Sequence, residues 1–332
     1  MKKIRFGIIG CSNIANISII PSMLDSKYAE LHYIGSRSHS KAKQFAKKFN
    51  CSNYGSYEDV LDNKDIDAVY ISVPIGLHEK WVTNAAKKKK HVLCEKSSTT
   101  SFKSAKKMVL ICKKNNVRLM EGLMFRFHPQ HDKVKNLIKK DFLGELFNFS
   151  SYYGFGSIKK SDIRFNKKLG GGILNDAGCY PICASRMIFE KEPKSIFCNL
   201  IIDKKSGVDV KANIFLKYDD SKMAQMSVGY GLFYQSTYRI WGTKGLLYLK
   251  RGYNIPPEMN AEIYLNSRKT KIYSLKQVNH FLLMIDNFSR ILKNEIKSNF
   301  NFENDLLNQA RIMDAARKSS KLKKLISINT IK

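Results

Sequence analysis

Short apolar runs alternate with amphipathic stretches through the first third of the chain, the order expected of βαβ units feeding a parallel sheet. Runs at 4–9, 30–35, 68–73, 91–94 and 117–120 predict strands. Between the second and third, Ala42, Phe45, Ala46 and Phe49 recur at helical spacing and form one apolar face. Ser56 followed by Asp59 has the spacing of a capping box ahead of a further short helix. The predicted class is doubly wound α/β.

Beyond Gly122 the period changes. Strand-like segments are predicted at 146–153, 195–202, 210–218, 222–229 and 238–250, with a helix at 177–189 and two more near 277–292 and 304–319. The turn Tyr218-Asp219-Asp220-Ser221 joins neighbouring strands, which points to an α+β domain on a largely antiparallel open sheet. No repeat or low-complexity linker marks the junction, so the change of pattern alone places the domains at 1–122 and 123–332.

Composition narrows the class. The chain has 332 residues, 43% hydrophobic and 26% charged, enough to bury two ordinary cores. Lys and Arg number 58 against 28 Asp and Glu, a net charge of +30 that favours an anionic partner. The lysines are dispersed, as at Lys41, Lys43, Lys47 and Lys48 or Lys87 to Lys90, without an interleaved aromatic stripe. Nucleic acid is not expected: the lysines read as a solvated surface, or as a positive field that draws in a phosphorylated cofactor or substrate. The seven cysteines include no C-x-x-C pair, and Cys179 and Cys183 have no nearby His or Cys pair to complete a metal site. No metal is predicted. The opening MKKIRFGIIG enters a strand without a signal-peptide run, and no stretch nears the ~20 apolar residues of a membrane span, so a cytoplasmic protein is expected.

Gly7 to Ala15 closes the first strand and opens a helix, a place where backbone N–H groups and the helix dipole can receive a pyrophosphate. Against the pattern G-x-G-x-x-G/A the three key positions are Gly10, Ser12 and Ala15, with Asn13 and Ile14 completing the turn. The same residues would also suit a plain strand-to-helix turn, and it is the βαβ setting that favours a dinucleotide. After the second strand the chain reads Gly35-Ser36-Arg37-Ser38, without the acid that usually binds an NAD ribose. A carboxylate would repel a 2′-phosphate, whereas Arg37 and Ser36 can hold it. NADP is predicted over NAD; NAD remains possible if Arg37 is only a solvated loop residue.

Four ordered segments carry a wider likeness: Val73-Pro74-Ile75-Gly76-Leu77-His78, His91-Val92-Leu93-Cys94-Glu95-Lys96, Met124-Phe125-Arg126-Phe127-His128-Pro129, and Gly170-Gly171-Gly172-Ile173-Leu174-Asn175-Asp176-Ala177-Gly178-Cys179-Tyr180. Through them the chain resembles the glucose-fructose oxidoreductase and inositol dehydrogenase family, Gfo/Idh/MocA, over essentially its whole length. The resemblance implies a Rossmann domain for NAD(P) followed by a domain for substrate binding and oligomerisation. It implies Lys96 at the nicotinamide and substrate, and Tyr180 as acid/base in a D-x-x-x-H/Y motif. A phenol ionises near pH 10 in water, so a neighbouring ammonium would help it exchange a proton. Asp176, four residues earlier, is expected on the same helix face, holding a substrate hydroxyl or positioning Tyr180. Pro74, His78 and Glu95 are expected at the cofactor edge. Arg126, His128 and Arg164 are candidates for substrate, with an ion pair as the alternative for Arg126. Ser97 stands where the family usually has Pro.

The Tyr-bearing branch of this family implies three substrate groups: free aldoses, nucleotide-linked keto-sugars and aromatic trans-dihydrodiols. The basic chain favours reduction of a sugar or nucleotide-sugar ketone with NADPH. The alternatives are an aldose 1-dehydrogenase, a trans-dihydrodiol dehydrogenase and a non-enzymatic dinucleotide-binding redox sensor, though a sensor needs no proton donor. A homodimer or homotetramer formed through the open face of the second sheet is also implied.

Overall fold

A computed structural model describes residues 2–297 and 300–332. Two compact units are present, one of Met1–Met124 with His280–Leu307 and one of Phe125–Asn279 with Asn308–Lys332.

The first unit holds a six-stranded sheet built from β1 (Ile4–Ile9), β2 (Ala29–Gly35), β3 (Tyr54–Gly55), β4 (Ala68–Ile71), β5 (His91–Glu95) and β6 (Leu119–Gly122). Its order is β3-β2-β1-β4-β5-β6, and every pair is parallel. That order is the Rossmann arrangement, with the reversal between β1 and β4. Helices α1 (Ile20–Asp25), α2 (His39–Lys48), α3 (Tyr57–Asp62), α4 (His78–Lys87) and α5 (Phe102–Lys114) alternate with the strands. Parallel strands covered on both faces are mostly apolar, and β4 and β6 are buried at every position, β6 including one acid, Glu121. Serines start three helices: Ser38, Ser56 and Ser101 each accept a backbone N–H three residues on, satisfying a donor the helix cannot. At Ser56 the expected capping box is complete, since Asp59 accepts in return from the Ser56 N–H.

The second unit begins with α6 (Pro129–Lys139) and continues with β7 (Leu146–Phe155) and α7 (Cys179–Phe189). There follow β8 (Ser195–Ile202), β9 (Asp209–Lys217), β10 (Met223–Tyr230), β11 (Gln235–Gly242), β12 (Leu246–Leu249), β13 (Ala261–Asn266) and β14 (Thr270–Leu275). Helix α8 (His280–Leu292) belongs to the first unit, α9 (Phe302–Leu322) follows it, and the short β15 (Ile326–Ser327) completes the second unit's sheet. The nine strands run β14-β13-β12-β11-β7-β10-β9-β8-β15, antiparallel except for the parallel pair β7 and β10. The single strand expected at 238–250 is two. A Cβ on Gly242 would lie 2.2 Å from the Leu143 carbonyl oxygen, and the Gly242 N–H bonds the Gly245 carbonyl, so the chain turns there. Helix α7 packs on β7 and is buried at every position but Met187. Its Arg186 is charged yet buried, and forks onto both Glu192 oxygens at 2.7 Å and onto Gln309 at 3.0 Å. Among the described residues no helix is long and apolar enough to cross a membrane.

Helix α6 starts with Pro129 at its first turn and His128 as its cap, the His128 Nδ1 accepting the Gln130 N–H at 3.1 Å. Burial pushes the His128 pKa down to about 4. The unfolded chain, with an ordinary value near 6.5, therefore takes up this proton first as pH falls. The stability contributed by neutral His128 is complete above about pH 6.5 and is lost towards pH 4, at up to about 1.4 kcal/mol per pH unit. The His128→Asn variant keeps a capping acceptor and removes the titration. Urea unfolding between pH 7 and about 4.5 should show a shallower loss for this variant than for the parent; parallel curves would remove His128 from the acid response.

Candidate active site

The carboxyl ends of β1 and β2 lie side by side, with the Gly10 N–H donating to the Gly35 carbonyl at 3.1 Å. Gly10 takes φ +112°, a conformation side chains resist, and a Cβ there would sit 3.1 Å from the Ser72 and Val73 backbone. Ser72 Oγ ties the turn down by donating to the Gly10 carbonyl at 2.8 Å. Ser12 Oγ accepts the Ala15 N–H at 3.1 Å in the manner of a helix cap, which leaves its own hydroxyl proton available to a phosphate. The amides of Asn13 and Ile14 stand in the first turn, where a helix offers its N–H groups outward. A π-helical turn, Ala15–Ile19, follows and runs into α1. This is donor chemistry suited to a diphosphate.

Past β2, Ser36 is buried and Arg37 is exposed. No carboxylate stands at Ser36, Arg37 or Ser38, so these residues fit a 2′-phosphate better than a bare ribose diol. Pro74 opens the short turn after β4, partly exposed.

His78 differs from its expected place. It is wholly buried, with Nε2 2.7 Å from the Val73 carbonyl and Nδ1 3.2 Å from the carbonyls of Ser97 and Ser98. Burial pushes its pKa down to about 4, against the pull of those three acceptors. His78 thus lies behind the loop that follows β5 and shapes the edge from within. Lys96 is partly exposed just past the end of β5. Its neighbour Glu95 accepts the Tyr70 hydroxyl at 2.6 Å.

In the second unit the Gly-rich segment leads into a π-helical turn, Leu174–Gly178, that continues as α7. Such turns recur at functional sites, and here Asp176 lies in the turn and Tyr180 on the helix that follows it. Gly172 has φ +117°, and a Cβ there would strike the Asp209 carboxylate at 2.3 Å. That carboxylate accepts the Leu174 N–H at 2.6 Å and anchors the turn. Tyr180 is 4% exposed and packed edge-on to Tyr153 at 5.2 Å, with Phe125 and Tyr253 also against its ring. Asp176 is held from two sides: Arg164 Nε donates at 2.7 Å and the Tyr230 hydroxyl at 3.3 Å. Arg164 also donates to both Asp162 oxygens at 3.2 Å. The structure therefore engages Arg164 with two carboxylates, where sequence reading had it reaching substrate.

His128 departs further from its expected role. It is 1% exposed and caps α6, so it does not present a ring to substrate. Arg126 donates to Cys183 Sγ at 3.2 Å. Tyr230 and Tyr70 carry no motif; each reaches its carboxylate from a strand distant in sequence. Among the described residues no group of three or more His, Cys, Asp or Glu could hold a metal ion.

Comparison with known proteins bears on the family and the fold. The family model described as "Oxidoreductase family, NAD-binding Rossmann fold" (GFO_IDH_MocA) matches residues 4–123, and the GFO/IDH/MocA C-terminal domain matches 131–248. A dTDP-3,4-didehydro-2,6-dideoxy-alpha-D-glucose 3-reductase from Saccharopolyspora spinosa is 32% identical over 80% of both chains. A D-xylose 1-dehydrogenase (NADP(+)) from Haloferax volcanii is 34% identical over 78% of this chain and 79% of its own. The crystal structure of KijD10, a 3-ketoreductase from Actinomadura kijaniata in complex with NADP and TDP-benzene, superposes with a TM-score of 0.92 at 28% identity, covering 96% of this chain and 98% of that one. On the two matched domains and these relatives, the chain belongs to the GFO/IDH/MocA family of NAD(P)-dependent oxidoreductases.

Proposed function

We propose that the protein reduces the ketone of a nucleotide-linked sugar with NADPH. The observation that carries this reading is Tyr180, four residues past an Asp176 already clamped by Arg164 and Tyr230, in a chain whose relatives include 3-reductases of dTDP-linked sugars.

Bound NADPH supplies the hydride. A ketone oxygen gains alkoxide character as its carbon is reduced and needs a proton, which the Tyr180 hydroxyl would give; Lys96, by the family resemblance, would serve at the nicotinamide and substrate. Asp176, which accepts a charge-assisted hydrogen bond from the Arg164 guanidinium, is suited to bind a sugar hydroxyl beside the reacting carbon. On the cofactor side, the Asn13 and Ile14 amides and the Ser12 hydroxyl receive the diphosphate, and Ser36 with Arg37 receives the 2′-phosphate. Pro74 lines the edge.

A second reading, oxidation of a free aldose at C1 with NADP+, is favoured by the likeness to a D-xylose 1-dehydrogenase. For assembly we propose a homodimer or homotetramer through the open face of the second sheet, where Tyr152, Phe197 and Trp241 are 51%, 42% and 57% exposed. Large apolar side chains on one sheet are the mark of a surface that is covered in use. Sedimentation velocity at micromolar protein should give a dimer or larger; a monomer overturns this.

The activity is tested by following nicotinamide absorbance with dTDP-linked keto-sugars and NADPH, and with free xylose and glucose and NADP+. Turnover of a keto-sugar is expected, falling by about 10²-fold or more in Tyr180→Phe while NADPH still quenches protein fluorescence. Oxidation of free aldoses alone would replace the first reading by the second, and unchanged turnover in Tyr180→Phe would remove Tyr180 from the chemistry. Cofactor choice has a separate test. Arg37→Ala should raise the KM for NADPH at least about tenfold and leave that for NADH nearly unchanged, since one charge-assisted bond to the 2′-phosphate is lost. Equal changes would assign Arg37 to the solvent.

A further inference from the structure

Lys96 is presented by a turn whose flanking residues are all fastened. On one side Glu95 accepts the Tyr70 hydroxyl at 2.6 Å. On the other, the carbonyls of Ser97 and Ser98 stand 3.2 Å from His78 Nδ1, and the Ser98 N–H donates at 2.7 Å to Glu121 Oε1. Ser98 and His78 are wholly buried, and Glu121 is 9% exposed. Glu121 sits on β6, next to β5 in the sheet, and directly opposite Cys94. The following residue, Gly122, lets the strands close up: a Cβ there would lie 3.2 Å from the Cys94 carbonyl.

A buried carboxylate is costly to desolvate and survives only where it is well paired. The charge-assisted bond from Ser98 is short and comes from backbone, so it fixes the path of the main chain two residues after Lys96. Lysine has four rotatable side-chain bonds, and its ammonium is placed reproducibly only if its Cα is. We propose that Glu121 is the positioning residue of Lys96: with His78 it clamps the turn 96–98, and so sets the ammonium where the reaction uses it. Glu121 touches neither substrate nor cofactor in this role. The proposal rests on the reading of Lys96 as a catalytic group given above.

Two variants separate the bond from the charge. Glu121→Gln keeps an oxygen for the Ser98 N–H and drops the charge. Glu121→Met keeps the volume and drops both, leaving the Ser98 N–H without its acceptor. With the keto-sugar substrate, Glu121→Met should lose about 10- to 100-fold in kcat with less than about threefold change in KM for NADPH, the scale of a displaced catalytic group. Glu121→Gln should recover to within about threefold of the parent. In a Lys96→Met background, Glu121→Met should add less than about twofold, because residues acting through one another are not additive. Thermal unfolding and NADPH fluorescence titration accompany each variant. An undiminished kcat in Glu121→Met, a Gln variant as poor as the Met variant, or a full further loss on top of Lys96→Met would each overturn the positioning role. If Lys96→Met alone left turnover unchanged, the catalytic reading of Lys96 would fall, and that result is distinct from any of these.

Discussion

A parallel sheet delivers the carboxyl end of every strand to one edge, and the chemistry assigned to the first unit depends on that constraint. Turns leaving such strands follow each other along the edge in the spatial order of the strands, whatever their order in sequence. Here the order β2-β1-β4-β5-β6 sets Ser36 and Arg37, then Gly10, then Pro74, then Lys96, then the end of β6. Gly10 and Lys96, 86 positions apart in the chain, are brought to one edge by the pairing of the strands. The reversal between β1 and β4 opens the gap in which the Gly10 turn can offer its amides, and Gly10 itself is excluded from bearing a side chain by the β4 turn it leans on. Sheet topology thus comes before every local feature of the cofactor site.

The second unit solves a different problem. Polar groups embedded near α7 bring their own partners. Asp176 arrives with Arg164 and Tyr230 already bonded to it, and Arg186 arrives with Glu192 and Gln309. Around Tyr180 the ring is packed against Phe125, Tyr153 and Tyr253, which fixes its place in the unit. Rigid placement of a donor is what converts binding into rate.

Much of this was readable beforehand, and the failures have physical reasons. The strands of the first unit were legible because a sheet covered on both faces demands unbroken apolar runs; the two-residue β3 was not, having no room for a pattern. The long run at 238–250 looked like one strand because the Thr243 to Gly245 turn is flanked by apolar residues on both sides, and only the crowding at Gly242 reveals the break. The return of His280–Leu307 to the first unit has no local signature, since an amphipathic helix does not say which surface it will cover. Ser12, Arg37, Lys96 and Tyr180 could be named as candidates from the sequence because motif spacing is local. His78 and His128 are both buried, which the sequence does not show, because a histidine in a loop reads alike whether its ring faces a ligand or a buried carbonyl. Glu121 was passed over altogether: the sequence shows one acid in an apolar strand, and its partner is the backbone of a turn 23 residues away.

The net charge of +30 now takes a more limited place. Many of the described ion pairs are exposed, such as Lys88 with Asp62 and Lys160 with Asp203, and pairs of that kind contribute little to stability. At physiological salt the Debye length is about 8 Å, so a lysine-rich surface acts on an anion only at close approach, and acts alike on every phosphorylated molecule. Such a field raises the encounter rate of NADPH and of a nucleotide-linked sugar together and cannot choose between sugars. Choice must come from groups whose geometry is fixed before the substrate arrives. On the proposed reading the second unit holds two such groups, the carboxylate bonded by Arg164 and Tyr230 and the phenol walled in by Tyr153, Phe125 and Tyr253.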